Sequence, residues 1–482
     1  MFKMNRLFPF VVVLLLALLH VPFLSADPDT RITVVSRDAW TDEGLNTVQI
    51  RNLVDHGYLS MSECDNLIKT PLFGYSLIPF YKIFGTQIIV RRAMVLGFVL
   101  MVLFIFLRDE KTRLFGTALA FIALMQFHVF HYSHYSLAEM MAVSWILLGV
   151  FLLWKAENGN AMLMVIATAC FSLAYLTKIT FAYAVVIPFV ASYMAFLMDR
   201  MEERVPARSL ASSWGIQAII TGLIGFVFYL KWYVPNKAIF DMVEANQGTG
   251  RYDVGDAWNR FQFNLNEFVM VDGMAPFVII LAVVLIGFLF RQPMRSKNRV
   301  LFFGTIIWFL FELHHTLLVN PPGRYLLPLF FSMLALIAFS VSEIGTSKSQ
   351  KRVVFIILIL FGGYNISNYR ASYLQRTFDV EAVRNYLANY ELKDEAMLGV
   401  WAPTLAANTE ARCIPVWSDF NFDKDRMRNY HPTLIFSEPD EAESGEAFKA
   451  LGMNLKADAD SSREFKVWRY KVAVHWMKKQ HD

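Results

Sequence analysis

Residues 95–107 read VLGFVLMVLFIFL, and this uninterrupted apolar run decides the fold class. Similar runs occur at 11–19 (VVVLLLALL) and 353–361 (VVFIILILF). The 482 residues are 56% hydrophobic and only 18% charged, with a mean hydropathy of +0.39, whereas soluble domains are about 45–50% apolar and about 25% charged. The sequence therefore predicts a polytopic α-helical membrane protein. It argues against a soluble enzyme, a disordered chain and a nucleic-acid-binding module.

A membrane-spanning helix needs about 20 mostly apolar residues. By that measure the sequence predicts about eleven transmembrane helices. They lie at roughly 7–24, 89–107, 114–132, 137–154, 161–177, 179–198, 214–233, 274–290, 300–319, 325–341 and 353–369.

Basic residues concentrate in four short loops, at 108–113, 200–208, 291–299 and 348–352. With eleven spans and a cytoplasmic N-terminus, all four loops fall on the cytoplasmic side, as the positive-inside rule requires. We therefore expect a multi-pass protein of the inner (plasma) membrane.

The first apolar segment can alternatively be read as a cleaved signal peptide that ends near Leu24-Ser25-Ala26. Residue 30 lies outside the cytoplasm under both readings.

The predicted topology places three large pieces outside, namely residues 25–88, residues 234–273 and the tail from about 370. The tail is polar, with short apolar runs at 396–400 and 433–436 and turn residues between them. We therefore predict a transmembrane domain over 1–369, whose outer loop 25–88 carries juxtamembrane helices. A small extracytoplasmic α/β domain would follow over 370–482.

The outer loop carries an acidic pair within residues 37–44, which read RDAWTDEG. Four apolar residues between 45 and 54 follow at helical spacing, and Gly57 is a natural helix end. Asp42 and Glu43 are thus expected to start a short amphipathic helix on the membrane surface. Asp42 can act as a helix N-cap, or as a carboxylate aimed at a reaction centre, and the two roles are compatible. Trp40 nearby is read as a membrane anchor or a sugar-stacking platform.

A second juxtamembrane helix is predicted over 72–84, because this apolar stretch is too short to span a membrane and contains Pro79. Pro71 disfavours a helical conformation at Thr70. Lys69 would then lie at headgroup level, either as a snorkelling lysine or as a phosphate-binding cation.

These motifs, in this order, resemble the GT-C membrane glycosyltransferases, especially the bacterial aminoarabinose transferases and the protein O-mannosyltransferase type. The resemblance covers roughly residues 1–345. The matching motifs are the acidic pair 42–43, the Lys-x-Pro-Leu at 69–72, HYSLAE at 134–139, LTK at 176–178 and RYLLPL at 324–329. Two positions depart from the family. Aspartate often occupies the position that is Glu139 here, and proline the position that is Thr70 here.

The resemblance implies a glycosyltransferase that moves a hexose or pentose from a polyprenyl-phosphate carrier to an acceptor hydroxyl of a lipid, glycan or protein. It implies Asp42 as the base, with Glu43 as the adjacent alternative and Glu139 as a second carboxylate. Carrier-phosphate binding would fall to four residues: Lys69, Arg324, Tyr325 and Lys178. The alternative function is a polytopic transporter or a flippase for lipid-linked sugars.

Histidines raise the question of a divalent metal, which some relatives contain. His134 and His315 are the candidate ligands, although hydrogen-bonded interfacial histidines are the simpler reading. The three cysteines (Cys64, Cys170 and Cys413) have no metal or redox spacing, and a Cys64–Cys413 disulfide is conceivable only if both lie outside the cytoplasm.

Overall fold

The computed structural model describes residues 7–32, 37–156, 160–201, 207–247, 254–270, 299–317, 323–343, 348–393, 395–407, 409–417 and 430–478. The predicted span at 274–290 lies outside these residues.

The first part of the chain is a helical bundle interrupted by short surface helices. Its helices are α1 (Phe8–His20), α2 (Ala39–Leu45), α3 (Val48–His56), α4 (Asn66–Lys69), α5 (Pro71–Phe84), α6 (Ile88–Arg108), α7 (Arg113–Leu119), α8 (Phe127–Tyr132), α9 (Ala138–Ala156) and α10 (Ala161–Thr177).

The bundle continues with longer helices that are joined by 3-10 and π turns. They are α11 (Ile187–Met201), α12 (Ala207–Phe228), α13 (Lys237–Gln247), α14 (Val254–Met270), α15 (Arg299–His315), α16 (Leu327–Glu343) and α17 (Lys348–Leu374). A 3-10 segment, Ile179–Val186, joins α10 to α11.

Among the described residues, four helical segments are long and apolar enough to cross a membrane. They are Ile88–Arg108, Ala138–Ala156, Ile179–Asp199 and Leu210–Glu244. Shorter apolar helices occur at Phe8–Phe23, Arg113–Leu124, Ala161–Thr177 and Leu327–Ser342. The mostly helical membrane architecture is therefore as predicted, whereas the number eleven remains a prediction.

The loop between α1 and α6 differs from expectation in one respect. A single helix was predicted to start at Asp42, but α2 begins earlier, and Asn46 and Thr47 separate it from α3. Asp42 is therefore inside α2, and Asp38 occupies its N-cap position. Gly57 ends α3 with a φ of 64°, which confirms it as the helix stop.

The C-terminal part forms a five-stranded sheet with the order β2-β1-β3-β5-β4. The strands are β1 (Ala396–Leu398), β2 (Arg412–Ile414), β3 (Leu434–Ser437), β4 (Ala459–Val467) and β5 (Tyr470–Met477). β1 is parallel to β2 and β3, while β5 is antiparallel to β3 and β4.

Helices cover the sheet and complete the C-terminal domain. They are α18 (Asp379–Leu387), α19 (Ala402–Leu405), α20 (Ala442–Ala450) and α21 (Leu455–Asp458). Every residue of β1 is buried, as expected for a parallel strand covered on both faces.

The C-terminal domain shares its apolar core with the outer loop. Trp40, Leu45 and Val48 are buried in the same cluster as Trp401 and other residues of the domain. Trp40 is 1% exposed, so it is neither a membrane anchor nor an accessible sugar platform. Burial of these apolar groups fixes the loop against the domain. The three cysteines are free and buried.

Gly399, which follows β1, provides a test of this packing. Its φ is +132°, and an added Cβ would lie 2.2 Å from the carbonyl oxygen of Phe436. Gly399→Ala is therefore expected to lower the unfolding temperature of the purified protein, because the backbone conformation is strained for alanine and the strand must move.

Gly445 is the matched control, because it lies inside α20 and an added Cβ there meets nothing within 4 Å. Gly445→Ala should leave the unfolding temperature unchanged or raise it, since alanine favours helix by about 1 kcal/mol over glycine. Equal effects of the two changes would contradict the packing described for Gly399.

Candidate active site

Arg324 is the centre of a cluster of charged side chains. It lies in the 3-10 turn Gly323–Tyr325 that leads into α16. Its Nη1 is 3.0 Å from Asp38 Oδ1 and forms an ion pair with Asp42 Oδ2, while its Nε lies 3.5 Å from Glu139 Oε1. One arginine therefore joins carboxylates from two separate elements of the chain.

Two of these carboxylates come from α2. Asp42 lies inside the helix and Asp38 is its N-cap residue, and both carboxylates contact the same nitrogen, Arg324 Nη1. Asp38 also accepts a hydrogen bond of 2.5 Å from the Tyr132 hydroxyl, and its φ of 42° is unusual for a residue other than glycine. The Asp38 side chain is 1% exposed, whereas that of Asp42 is 19% exposed. Asp42 is thus the accessible member of the pair.

Glu139 belongs to the first turn of α9, where the helix dipole favours a negative charge. Its Oε1 lies 2.5 Å from Lys178 Nζ. Lys178 has extended backbone angles, φ −154° and ψ 120°, and separates α10 from the 3-10 segment as the sequence predicted. This break in the helix lets the lysine reach a carboxylate on a neighbouring helix.

Tyr325 lies between the two cations. Its ring centroid is 4.7 Å from the Arg324 guanidinium and 4.9 Å from Lys178 Nζ, and its hydroxyl accepts a bond of 3.1 Å from Arg324. Burial alone would lower the pKa of Lys178, but the Glu139 carboxylate raises it above its ordinary value.

The cluster contains two cations (Arg324 and Lys178) and three carboxylates (Asp38, Asp42 and Glu139), so its formal charge is −1. Within the described part of the chain, the buried Glu139 Oε2 accepts no hydrogen bond. A buried carboxylate oxygen normally has a partner, so this atom can take a hydroxyl donor. The arrangement provides acids, fixed cations and a free acceptor at one place.

Glu43 is not part of this cluster, although the sequence placed it beside Asp42 as an alternative base. Its Oε1 accepts a bond of 2.8 Å from Arg92 Nε and one of 2.7 Å from the backbone N–H of Ser136. Burial would raise the pKa of Glu43, but the charge and hydrogen bonds of Arg92 lower it. Glu43 is 1% exposed, so it forms a buried structural ion pair with Arg92.

Lys69 was expected to join Arg324 at a carrier phosphate. Its ion pair in the structure is with Asp65, at 2.5 Å and one helical turn away on α4. The proline-induced break at Thr70 is present, with φ −132° and ψ 51°. Lys69 is therefore close in sequence to the start of α5 but is paired locally.

The two candidate metal ligands have separate partners. His134 Nδ1 lies 2.9 Å from His20 Nδ1, and His315 Nδ1 lies 3.6 Å from Glu312 Oε2. No group of three potential ligands that could hold a metal ion occurs within the ranges the structure describes. The carboxylates of Asp42 and Glu139 form ion pairs with Arg324 and Lys178. His134 and His315 therefore contact different partners in the described residues.

Sequence reasoning missed Asp38 and Tyr132. The only signal for Asp38 was its position four residues before Asp42, next to the predicted start of a helix. Nothing in the sequence marked Tyr132 among the many aromatic residues, because its role depends on the side chain it meets.

Comparison with solved structures shows the fold. ArnT from Cupriavidus metallidurans bound to undecaprenyl phosphate is similar over 97% of both chains, with a TM-score of 0.59 and 14% identity. The apo state of the same protein gives a TM-score of 0.59 and 14% identity over 96% of this chain and 97% of that one.

The archaeal oligosaccharyltransferase AglB from Archaeoglobus fulgidus has a TM-score of 0.49 and 12% identity over 98% of this chain and 75% of that chain. No family model matches the sequence. No curated protein matches it either. The likeness to ArnT shows that the two chains share a fold, which agrees with the resemblance predicted from the motifs.

The Glu43–Arg92 pair yields a stability prediction. Glu43→Gln should destabilise the protein by about 3–5 kcal/mol, because removing one partner leaves a buried, uncompensated charge. The measurement is thermal unfolding of the purified protein in detergent.

Replacing both partners gives the control for this prediction. Glu43→Leu combined with Arg92→Leu should cost less than the sum of the single changes, since no unpaired charge remains. Additive effects would show that the pair is not coupled.

Proposed function

We propose that this protein is a membrane glycosyltransferase. It transfers a sugar from a polyprenyl-phosphate carrier to a hydroxyl group of a lipid, glycan or protein at the extracytoplasmic face of the inner membrane. The single observation that carries the proposal is the convergence of Asp42, Glu139 and Lys178 on Arg324. The ArnT structure with the same fold contains undecaprenyl phosphate, which supports a lipid phosphate as the carrier.

The charge of the cluster dictates how a phosphate can enter. A net charge of −1 repels an incoming anion. The anion can bind only if it displaces one carboxylate from its ion pair with a cationic side chain. Asp42 is the carboxylate suited to exchange, because its side chain is 19% exposed while those of Asp38 and Glu139 are 1–2% exposed. The carrier phosphate would take the Asp42 position on Arg324, where arginine suits bidentate contact with phosphate oxygens.

This exchange also prepares the base. Once Asp42 leaves Arg324, its carboxylate is free to accept a proton from the acceptor hydroxyl, a contribution of about 10²–10⁴-fold to the rate. The acceptor oxygen attacks the anomeric carbon, the bond from that carbon to the carrier phosphate oxygen breaks, and the proton moves to Asp42. Charge on the departing phosphate grows as the bond breaks, and Arg324 and Lys178 stabilise it most in the transition state.

The remaining residues keep the cations in place. Asp38 holds Arg324 while Asp42 is released, because Asp38 is itself fixed by Tyr132. Tyr325 separates the two cations and contacts both. The alternative function is a transporter or flippase. Neither activity would require a displaceable carboxylate, Asp42, next to an arginine that other carboxylates hold in place.

Asp42→Asn tests the base. In cells that lack the native protein, this variant should restore the missing glycan at least about 100-fold more slowly than the wild type, because asparagine cannot take a proton. Mass spectrometry of envelope glycolipids and glycoproteins measures the product and identifies the sugar and acceptor.

Asp241→Asn is the matched control, since Asp241 is an exposed carboxylate that pairs only with Lys237 in the described structure. It should transfer at the wild-type rate. Normal transfer by Asp42→Asn at equal expression would eliminate Asp42 as the base.

Arg324→Lys tests the phosphate site. The variant keeps the positive charge but loses the planar guanidinium, whose several N–H groups can bind two carboxylates and a phosphate at the same time. Binding of undecaprenyl phosphate, followed by the rise in unfolding temperature of the purified protein, should weaken at least about tenfold. Arg463→Lys, in β4 of the C-terminal domain, should bind as the wild type does, and unchanged binding by Arg324→Lys would remove Arg324 from the phosphate site.

A further inference from the structure

The short helix α2 cannot hold its own position. It has seven residues and no side-chain hydrogen bond to its N-terminus, and isolated helices shorter than about 12–15 residues are marginal in water. Yet it must present Asp38 and Asp42 to Arg324, which lies nearly 300 residues away in the sequence. Something outside the helix therefore fixes its place.

The face of α2 that turns away from Arg324 is packed against the C-terminal domain. The Trp40 indole stacks on that of Trp468, with ring centroids 5.6 Å apart and an interplanar angle of 6°. An added Cβ on Gly44 would lie 2.5 Å from Thr404 Oγ1, so α2 and α19 are in direct contact. The Thr404 hydroxyl donates to the backbone carbonyl of Thr41 at 3.5 Å.

The residue before the helix is held by the same domain. Arg37 Nε donates to Glu438 Oε1 at 2.7 Å, and Arg37 Nη2 pairs with Glu438 Oε2. The Arg37 guanidinium also lies 4.2 Å from the ring of Trp417 and 5.0 Å from that of Tyr470. Both ends of α2 thus contact the C-terminal domain.

Trp468 is itself held firmly. It forms the turn between β4 and β5, and its backbone N–H donates to Asp379 Oδ2 at 3.0 Å. The backbone N–H of Asp379 donates to Asp27 Oδ2 at 2.5 Å. This series of contacts runs from the outer loop through the domain and back to Trp40.

We infer that the C-terminal domain positions the reactive carboxylates, and that Trp468 is a positioning residue for the proposed transfer reaction. Trp468 acts through Trp40. The stacked indoles fix the orientation and position of α2, so that Asp42 faces Arg324 and Gly44 faces Thr404. The inference rests on the proposed function for its effect on the rate. Its structural part, the placement of α2, can be tested without any reaction.

Trp468→Ala is the test variant, made in the full-length protein. It should lower the rate of glycan restoration about 10–100-fold, since a displacement of about 1 Å at a reacting group can cost that much. Binding of undecaprenyl phosphate should not weaken, because Arg324 and Lys178 are untouched and a displaced Asp42 competes less for Arg324. Trp468→Phe should recover most of the rate, since a flat ring is kept.

Hydrogen–deuterium exchange provides a readout independent of activity. In Trp468→Ala, the peptide that covers 38–46 should exchange faster than in the wild type, while peptides from α9 and α16 should not change.

Trp476→Ala is the matched control, because Trp476 is an aromatic residue of the same strand pair that contacts Tyr386 and Tyr390. It should alter neither the exchange of 38–46 nor the rate.

The outcomes separate this inference from the proposed function. Unchanged rate and exchange in Trp468→Ala would overturn the inference, as would equal losses in Trp468→Ala and Trp476→Ala. If the wild type transfers no sugar, the proposed function fails, and the exchange of 38–46 alone then decides whether the domain positions α2.

Discussion

A half-buried arginine that cannot lose its charge is the constraint on which this site depends. Arginine stays protonated in proteins, and the Arg324 side chain is only 14% exposed. The cost of removing that charge from water must be offset by carboxylates at close range. The fold therefore has to bring Asp38, Asp42 and Glu139 to one guanidinium, and the positions of α2 and α9 around the turn at 323–325 follow from this need.

Charge balance also explains why neighbouring acids have different roles. Adjacent residues of a helix point about 100° apart, so Asp42 and Glu43 cannot face the same partner. Glu43 is buried and accepts hydrogen bonds from Arg92 and from a backbone N–H, which fix it there. Asp42 pairs with Arg324 but stays partly exposed, so a second anion can compete for the same cation. Their different exposure follows from the direction of each side chain on a single short helix.

Local features of the sequence were sufficient for many of the elements. The break at Lys178, the end of α3 at Gly57 and the helix after Pro71 were all predicted, because each follows from the hydropathy or backbone preference of a few neighbouring residues. The partner of Glu43 was not predicted, since Arg92 looks like an ordinary basic residue at the end of an apolar segment. The ion pair between Lys69 and Asp65 was not predicted either, and phosphate binding by Lys69 stays a prediction.

The sequence by itself predicted a helical membrane protein with an acidic pair in its first large loop and motifs that resemble the GT-C glycosyltransferases. Hydropathy and motif order carry that information, because the bilayer and the backbone act on each segment separately. Only the tertiary structure decided which acids reach Arg324, that Asp38 is among them, and that the C-terminal domain packs against the opposite face of α2. Those contacts join residues far apart in the chain, and they depend on how whole helices pack rather than on any local pattern.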